Sequence, residues 1–294
     1  MADHAAEDGF DGDIFIYRGG RAPLHVTHVL IDKSLDEIED KAFSRCENLV
    51  QVDTHGGIQR VRKFAFFKCK SLRRINLKSA VEIGAQVFYD CENLESEEFG
   101  DKLETIECSA FYNCNSPKLK HLKLLSIITI GTAAFWGCKH LIDIELSERL
   151  ETIGAGAFKY CDRLQRIAIP LKRDLFELCN MWEKYTQFDY CDQLTTVDLV
   201  GQAHKQTVAS LHMESWRTEM NTEINRINRV LPNTPARDKT DEIRQWIYSV
   251  IDKLDHYKSE HCRYVKEGIT LLELALWKMK KKSTRQRANQ RRPR

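Results

Sequence analysis

No CxxC pair occurs in these 294 residues, nor any short Cys/His clustering of the kind zinc needs: His256, His261 and Cys262 come nearest, with positions five apart diverging on a helix and no fourth ligand. The spacings from which structural zinc sites are built are therefore missing, and reduced thiols are the simpler reading. A secretory signal would need a basic segment followed by an apolar one. The first fifteen residues instead carry Asp3, Glu7, Asp8, Asp11 and Asp13. There is no Asn-x-Ser/Thr acceptor without proline, and the longest nearly uncharged stretch, 124–138, is too short to cross a bilayer. Together these absences predict a cytoplasmic or nuclear protein. Catalytic patterns are missing as well. Gly154-Ala-Gly156 lacks the third glycine of a phosphate loop, and no Ser/His/Asp order or carboxylate pair stands out. The expectation is a protein without enzyme activity, cofactor or metal.

One sign of charge is absent from the end of the chain. Residues 278–294 hold nine Lys or Arg and no acid, which leaves the rest with 36 basic against 43 acidic residues. A block of this kind cannot bury enough apolar surface to fold alone, so 278–294 is expected to be a disordered basic tail. Lys280, Lys281, Lys282, Arg285, Arg287, Arg291 and Arg292 would serve as a nuclear address, a nucleic-acid contact or a contact to an anionic lipid surface, or would lie on the acidic body of the chain.

What the chain does have is a period. A Phe followed three residues later by a Cys recurs at Phe43/Cys46, Phe66/Cys69, Phe88/Cys91, Phe111/Cys114, Phe135/Cys138, Phe158/Cys161 and Phe188/Cys191. The spacing is 22 to 24 residues until the last step, which is 30. Fixed-period similarity means that each unit covers its apolar face only by stacking on its neighbours. Each unit reads L-x-x-I-x-L, a polar gap, L-x-x-I-G, then A-F-x-x-C. Alternation in Leu72-Arg-Arg-Ile75-Asn-Leu77 puts Ile75 and Leu77 inside and Arg74 and Asn76 outside. The unit thus predicts two short parallel strands and a short helical or 3₁₀ corner filled by Phe. The cysteine column reads as buried thiols donating weakly to the corner backbone, with a redox or metal array as the alternative. Cys108, Cys179 and Cys262 lie off the column.

The I-G-x-x-A-F-x-x-C-x-x-L unit resembles the BspA-like, surface-antigen type of leucine-rich repeat, over about residues 26–199. The resemblance implies a right-handed solenoid with an interaction role and no catalysis of its own. Asn115-Ser-Pro117-Lys-Leu119 lengthens one corner and predicts a local bulge.

The expected organisation is an acidic leader and cap strand in 1–25, with Ile14-Phe-Ile-Tyr17 as the strand, and the solenoid in 26–200. A helical insertion follows Pro170 and spans 170–187, and an all-α unit in 201–277 precedes the tail. That unit reads as three helices. The first carries Val208 to Leu231 and is broken by Pro232 and Pro235. The second carries Ile243 to Tyr257, and the third starts near Ile269 with Thr270 and Glu273 as a capping box.

If the first strands stack, their outward side chains form two columns. One contains Gln51, Arg74, Ser96, His121, Asp143 and Arg166; the other contains Asp53, Asn76, Glu98, Lys123 and Glu145. This mixed-charge face suits a protein or peptide partner. The alternative is a nuclear or nucleic-acid-associated protein acting through its tail.

Overall fold

The computed structural model describes residues 10–11, 14–95, 99–176, 186–201, 203–211 and 213–290, with side chains undescribed at 10, 11, 203 and 282–290. The chain divides into two compact units: residues up to 202 together with 225–248, and 203–224 together with the residues from 249 onward.

The first unit is a stack of parallel coils. Its first strands pair in parallel and in register: Ile14–Tyr17 with His28–Ile31, then Gln51–Asp53 and Arg74–Ile75. Further on, His121–Leu124 pairs with Asp143–Leu146, Arg166–Ile169 and Thr196–Leu199. A second sheet stacks six two-residue strands, from Glu37–Ile38 to Thr152–Ile153. Phe10–Asp11 folds back antiparallel on Ile14–Tyr17 at the open edge, where an uncovered strand would offer a pairing template.

Each corner is a run of tight turns whose i−3 hydrogen bonds, such as Cys46 N–H to the Phe43 carbonyl at 3.0 Å, are those of a 3₁₀ turn. Two residues per corner, four apart, lie in the left-handed region. They include Phe64 and Lys68, Gln86 and Asp90, Ser109 and Asn113, with φ between 53° and 59°. Such a conformation costs a side-chain-bearing residue roughly 1–2 kcal/mol. It also turns the N–H toward the next coil: Phe64 donates to Ala85 O at 2.9 Å and Lys68 to Tyr89 O at 2.8 Å. The corner is therefore a third hydrogen-bonded face, and its bonds offset the local strain.

Within the corners the column phenylalanines are fully buried and stacked. Ring centroids lie 5.2 Å apart for Phe43/Phe66, 5.5 Å for Phe66/Phe88, 5.2 Å for Phe111/Phe135 and 5.7 Å for Phe158/Phe188. Tyr17 closes the N-terminal end, 4.7 Å from Phe43 and tilted by 51°. The thiols run alongside. Cys69 Sγ donates to the Phe43 carbonyl at 3.0 Å, Cys138 to Phe111 at 3.2 Å and Cys191 to Phe158 at 2.9 Å. Burial pushes the Cys46 thiol up to about 11 and the Cys114 thiol up to about 12, and raises Cys91, Cys138 and Cys161 well above the ordinary range. Cys108 and Cys262 are exposed. A thiol reagent at neutral pH should label those two within minutes and leave the buried column unmodified until denaturant is added. Mass spectrometry finding Cys91 or Cys138 among the first sites would refute the packed column. Cys179 lies outside the described residues.

Two extra residues after Cys114 make the expected bulge. There the thiol departs from the pattern and donates to the Cys91 carbonyl at 3.2 Å, while Leu119 still reaches the buried leucine column.

The stretch after Pro170 differs from the expected helix. Residues 170–176 are turns ending in a bridge, with Ile153 N–H on the Leu175 carbonyl at 2.7 Å and Phe176 paired in parallel with Ile153. Leu175 and Phe176 occupy the second-strand position of one more coil, and both are buried. Sheet pairing outweighs the approximate helical spacing there. Residues 177–185 of the expected insertion lie outside the described set.

Residues 225–248 close the end of the stack. In helix α3 (Ile227–Val230), Asn228 Oδ1 accepts the Val197 N–H at 2.8 Å on the last first strand. The Phe188 N–H, which in earlier corners would meet the next coil's carbonyl, is taken by the Thr240 hydroxyl at 3.1 Å. Lys239 is 1% exposed, and its Nζ donates to the carbonyls of Cys191, Asp192 and Leu194 at 3.1, 2.7 and 2.6 Å.

The second unit contains α1 (Ala203–Ser210), α2 (Glu214–Ile224) and most of α4 (Lys239–Gln290). Trp216 stacks on Tyr257 at 5.0 Å. The break expected at the two prolines is present, as 3₁₀ turns Leu231–Asn233 and Ala236–Asp238. The single helix expected before it is instead the separate elements α1, α2 and α3. Conversely, the second and third expected helices are one. Thr270 is no cap, because its hydroxyl bonds back to the Lys266 carbonyl at 3.0 Å inside the helix. The backbone also stays helical from Lys278 to Gln290, in place of the disordered tail that composition suggests. Lys and Arg are good helix formers, and extending an existing helix avoids the nucleation cost.

Candidate protein-binding face

The first strands position the expected face. Along each, the inward residue is buried and its neighbours point out: Val52 is buried between Gln51 and Asp53, and Leu122 between His121 and Lys123. Parallel register brings Gln51 beside Arg74, and aligns His121, Asp143 and Arg166. In the second column Lys123 lies beside Glu145, followed by buried Ala168. Asn76 follows directly after Arg74–Ile75 and is exposed. Ser96 and Glu98, between the two runs of the face, lie outside the described residues.

The two runs differ electrostatically. In the later one, Arg166 bridges Asp143 at 2.8 Å and Asp198 at 2.6 Å, with His121 Nδ1 3.8 Å from Asp143. Arg166 is raised above the ordinary guanidinium value, first by its hydrogen bond to Asp143. These charges satisfy one another and offer a partner little. In the earlier run, Gln51 bonds Asp53 at 2.9 Å. Gln51, Asp53, Arg74, Asn76, Lys78, Glu95 and Lys118 line a recess of about 570 Å³. The Lys118 ammonium, 2.7 Å from Glu95, holds that carboxyl below the usual range, with Arg73 and Arg74 adding to the effect. Three cations and two carboxylates at one open recess can pair with charged groups on a peptide.

Of the tail residues, Lys280 and Lys281 are exposed on α4. The side chains of Lys282, Arg285 and Arg287 are undescribed, and Arg291 and Arg292 lie outside the described residues.

A second aromatic ladder escaped the sequence reading. Phe67, Tyr89, Tyr112 and Trp136 stack at 5.1, 4.6 and 5.7 Å along the outer side of the corners, followed by Tyr160 and Tyr190 at 4.5 Å from each other. Its signal is the aromatic directly after each column Phe from Phe66 to Phe135, which shifts one place in the last two coils. There Lys159 lies buried, its Nζ 4.8 Å from the Trp136 ring centroid and 3.3 Å from Asp189. The ring faces are turned to one another, so the ladder is packing.

Among the described residues no group of three His, Cys, Asp or Glu is placed to hold a metal ion, and no helix is long and apolar enough to cross a membrane. Comparison with known proteins places the repeat. The model of the BspA type leucine rich repeat region matches residues 23–123 and 115–210, with six copies. No curated protein matches the chain. Among solved structures, a T. pallidum leucine rich repeat protein is similar at 23% identity, over 68% of this chain and 88% of that one, with a TM-score of 0.49. A leucine-rich repeat protein from Bacteroides ovatus is 26% identical over 57% of this chain and 43% of that one, with a TM-score of 0.47. The pneumococcal vaccine antigen PcpA is 18% identical over 60% and 62%, with a TM-score of 0.34. With the repeat model covering more than half of its length, the chain belongs to the BspA-type leucine-rich-repeat family.

Proposed function

We propose that this protein is a non-catalytic scaffold, working in the cytoplasm or nucleus, that holds a protein or peptide on the first-strand face of its solenoid. The observation that carries this reading is the polar recess around Arg74 and Asn76, open on a rigid sheet and lined by charges of both signs. Rigid backbone keeps the ordering cost of binding low, and charge complementarity gives specificity. The paired cluster of Asp143, Arg166 and Asp198 serves as framework, so binding centres on the earlier coils.

Charge reversal tests this. Arg74→Glu combined with Lys118→Glu, both at the recess, should weaken capture of the native-cell partner at least tenfold. Lys102→Glu, exposed and off the face, should leave it unchanged. Equal capture by all three proteins would remove the face from consideration. The nucleic-acid alternative has the basic charge after Lys278 as its support. It predicts binding that disappears on truncation at 278 and in moderate salt.

A further inference from the structure

Residues 262–281 of α4 are exposed throughout, yet they hold some of the largest apolar side chains on the surface, among them Leu272 at 64% and Leu276 at 57% exposure. At 3.6 residues per turn, Tyr264, Val265, Ile269, Leu272, Leu276 and Met279 fall within one half of the circumference. The opposite half carries Arg263, Lys266, Glu267 and Lys281, with Arg263 paired to Glu260 at 2.6 Å and Glu267 at 3.9 Å. Trp277 and Leu274 fall in the polar half, Trp277 under the Lys281 ammonium, 4.5 Å from its ring centroid. In water such an arc requires a cover.

Charge decides which cover fits. The apolar arc runs directly into residues 278–294, with nine Lys or Arg and no acid. A second copy in parallel would set two such runs side by side. An antiparallel copy would cover only a narrow seam of an arc this wide. A negatively charged lipid surface satisfies both features. Acyl chains accept the apolar half, and headgroups face the basic run. From Val265 to Met279 the helix is about 22 Å long, enough to lie in the interface.

We propose that the exposed stretch of α4, residues 262–290, forms an amphipathic membrane anchor, which lies in the plane of an anionic leaflet and holds the solenoid at that surface. The anchor stands independently of the strand-face reading.

Vesicle co-sedimentation of the full chain tests it. Vesicles of phosphatidylcholine with about one third phosphatidylserine should bind the protein at 0.15 M salt, and pure phosphatidylcholine should bind it at least tenfold more weakly. Leu272→Glu with Leu276→Glu, both exposed and so neutral for folding, should lose at least tenfold of the anionic binding while circular dichroism stays unchanged. Three results would overturn the proposal: no binding to anionic vesicles, binding undiminished in the double variant, or a stable dimer in solution that the same double variant dissolves.

Discussion

Replacing Phe111 with Ala should cost about 3 to 5 kcal/mol of solenoid stability, the range for deleting a buried aromatic ring and leaving its cavity. Phe111 is fully buried, stacked at 5.2 Å on both Phe88 and Phe135, and edge-on to Phe99 at 5.4 Å. The loss reaches three neighbours, because a stack of coils has no alternative packing for a vacated corner. Tyr112, next in sequence but in the half-exposed outer ladder, should cost no more than about 2 kcal/mol on the same change. Denaturant unfolding of the two variants separates the columns. A Phe111→Ala loss under about 1 kcal/mol would mean that the ring is not the filler it looks to be.

The second large effect is expected at Lys239. Its three Nζ hydrogen bonds gather the carbonyls of Cys191, Asp192 and Leu194 in the last corner. Burial pulls the ammonium below the ordinary lysine value, and the carbonyls repay that desolvation only while all three bonds hold. Lys239→Met keeps the stem and removes the donors; the Leu194 and Asp192 carbonyls lose their partner while Cys191 keeps the Leu194 N–H, at about 3 kcal/mol in total. Lys258→Met, on the exposed side of α4, should change stability by less than about 0.5 kcal/mol. If calorimetry shows the two variants melting together, Lys239 does not hold the end of the stack.

The solenoid was legible because Phe, Cys and the strand aliphatics each return at one period and serve one role. Ile38, Val61, Ile83, Ile106, Ile130 and Ile153 repeat at 22 to 24 residues, and Phe176 falls 23 after Ile153. Carrying that period forward would have identified Phe176 as a strand position. The weaker helical spacing after Pro170 drew the reading away. The C-terminal helices were harder because capping signals are local. Thr270 and Glu273 have the right spacing for a cap, but residues 258–269 hold no proline, and the single Gly268 does not stop a helix already under way. Lys239 gave no warning, since a buried lysine is recognisable only from the carbonyls that converge on it. The face columns followed directly from alternation, whereas the neutralisation of Arg166 by Asp143 and Asp198 depends on side-chain geometry that no spacing encodes.

Amide hydrogen exchange tests the stacking most directly. The N–H groups of Phe43, Phe66, Phe88, Phe111 and Phe135 each donate to the carbonyl of the following coil, at 2.7 to 3.1 Å. These bonds exist only if successive corners lie on one another. The account predicts that these five amides exchange among the slowest in the chain, opening together with global unfolding of the solenoid. Exchange of Phe66, Phe88 and Phe111 at the rate of exposed turn amides, while the protein remains folded, would contradict it.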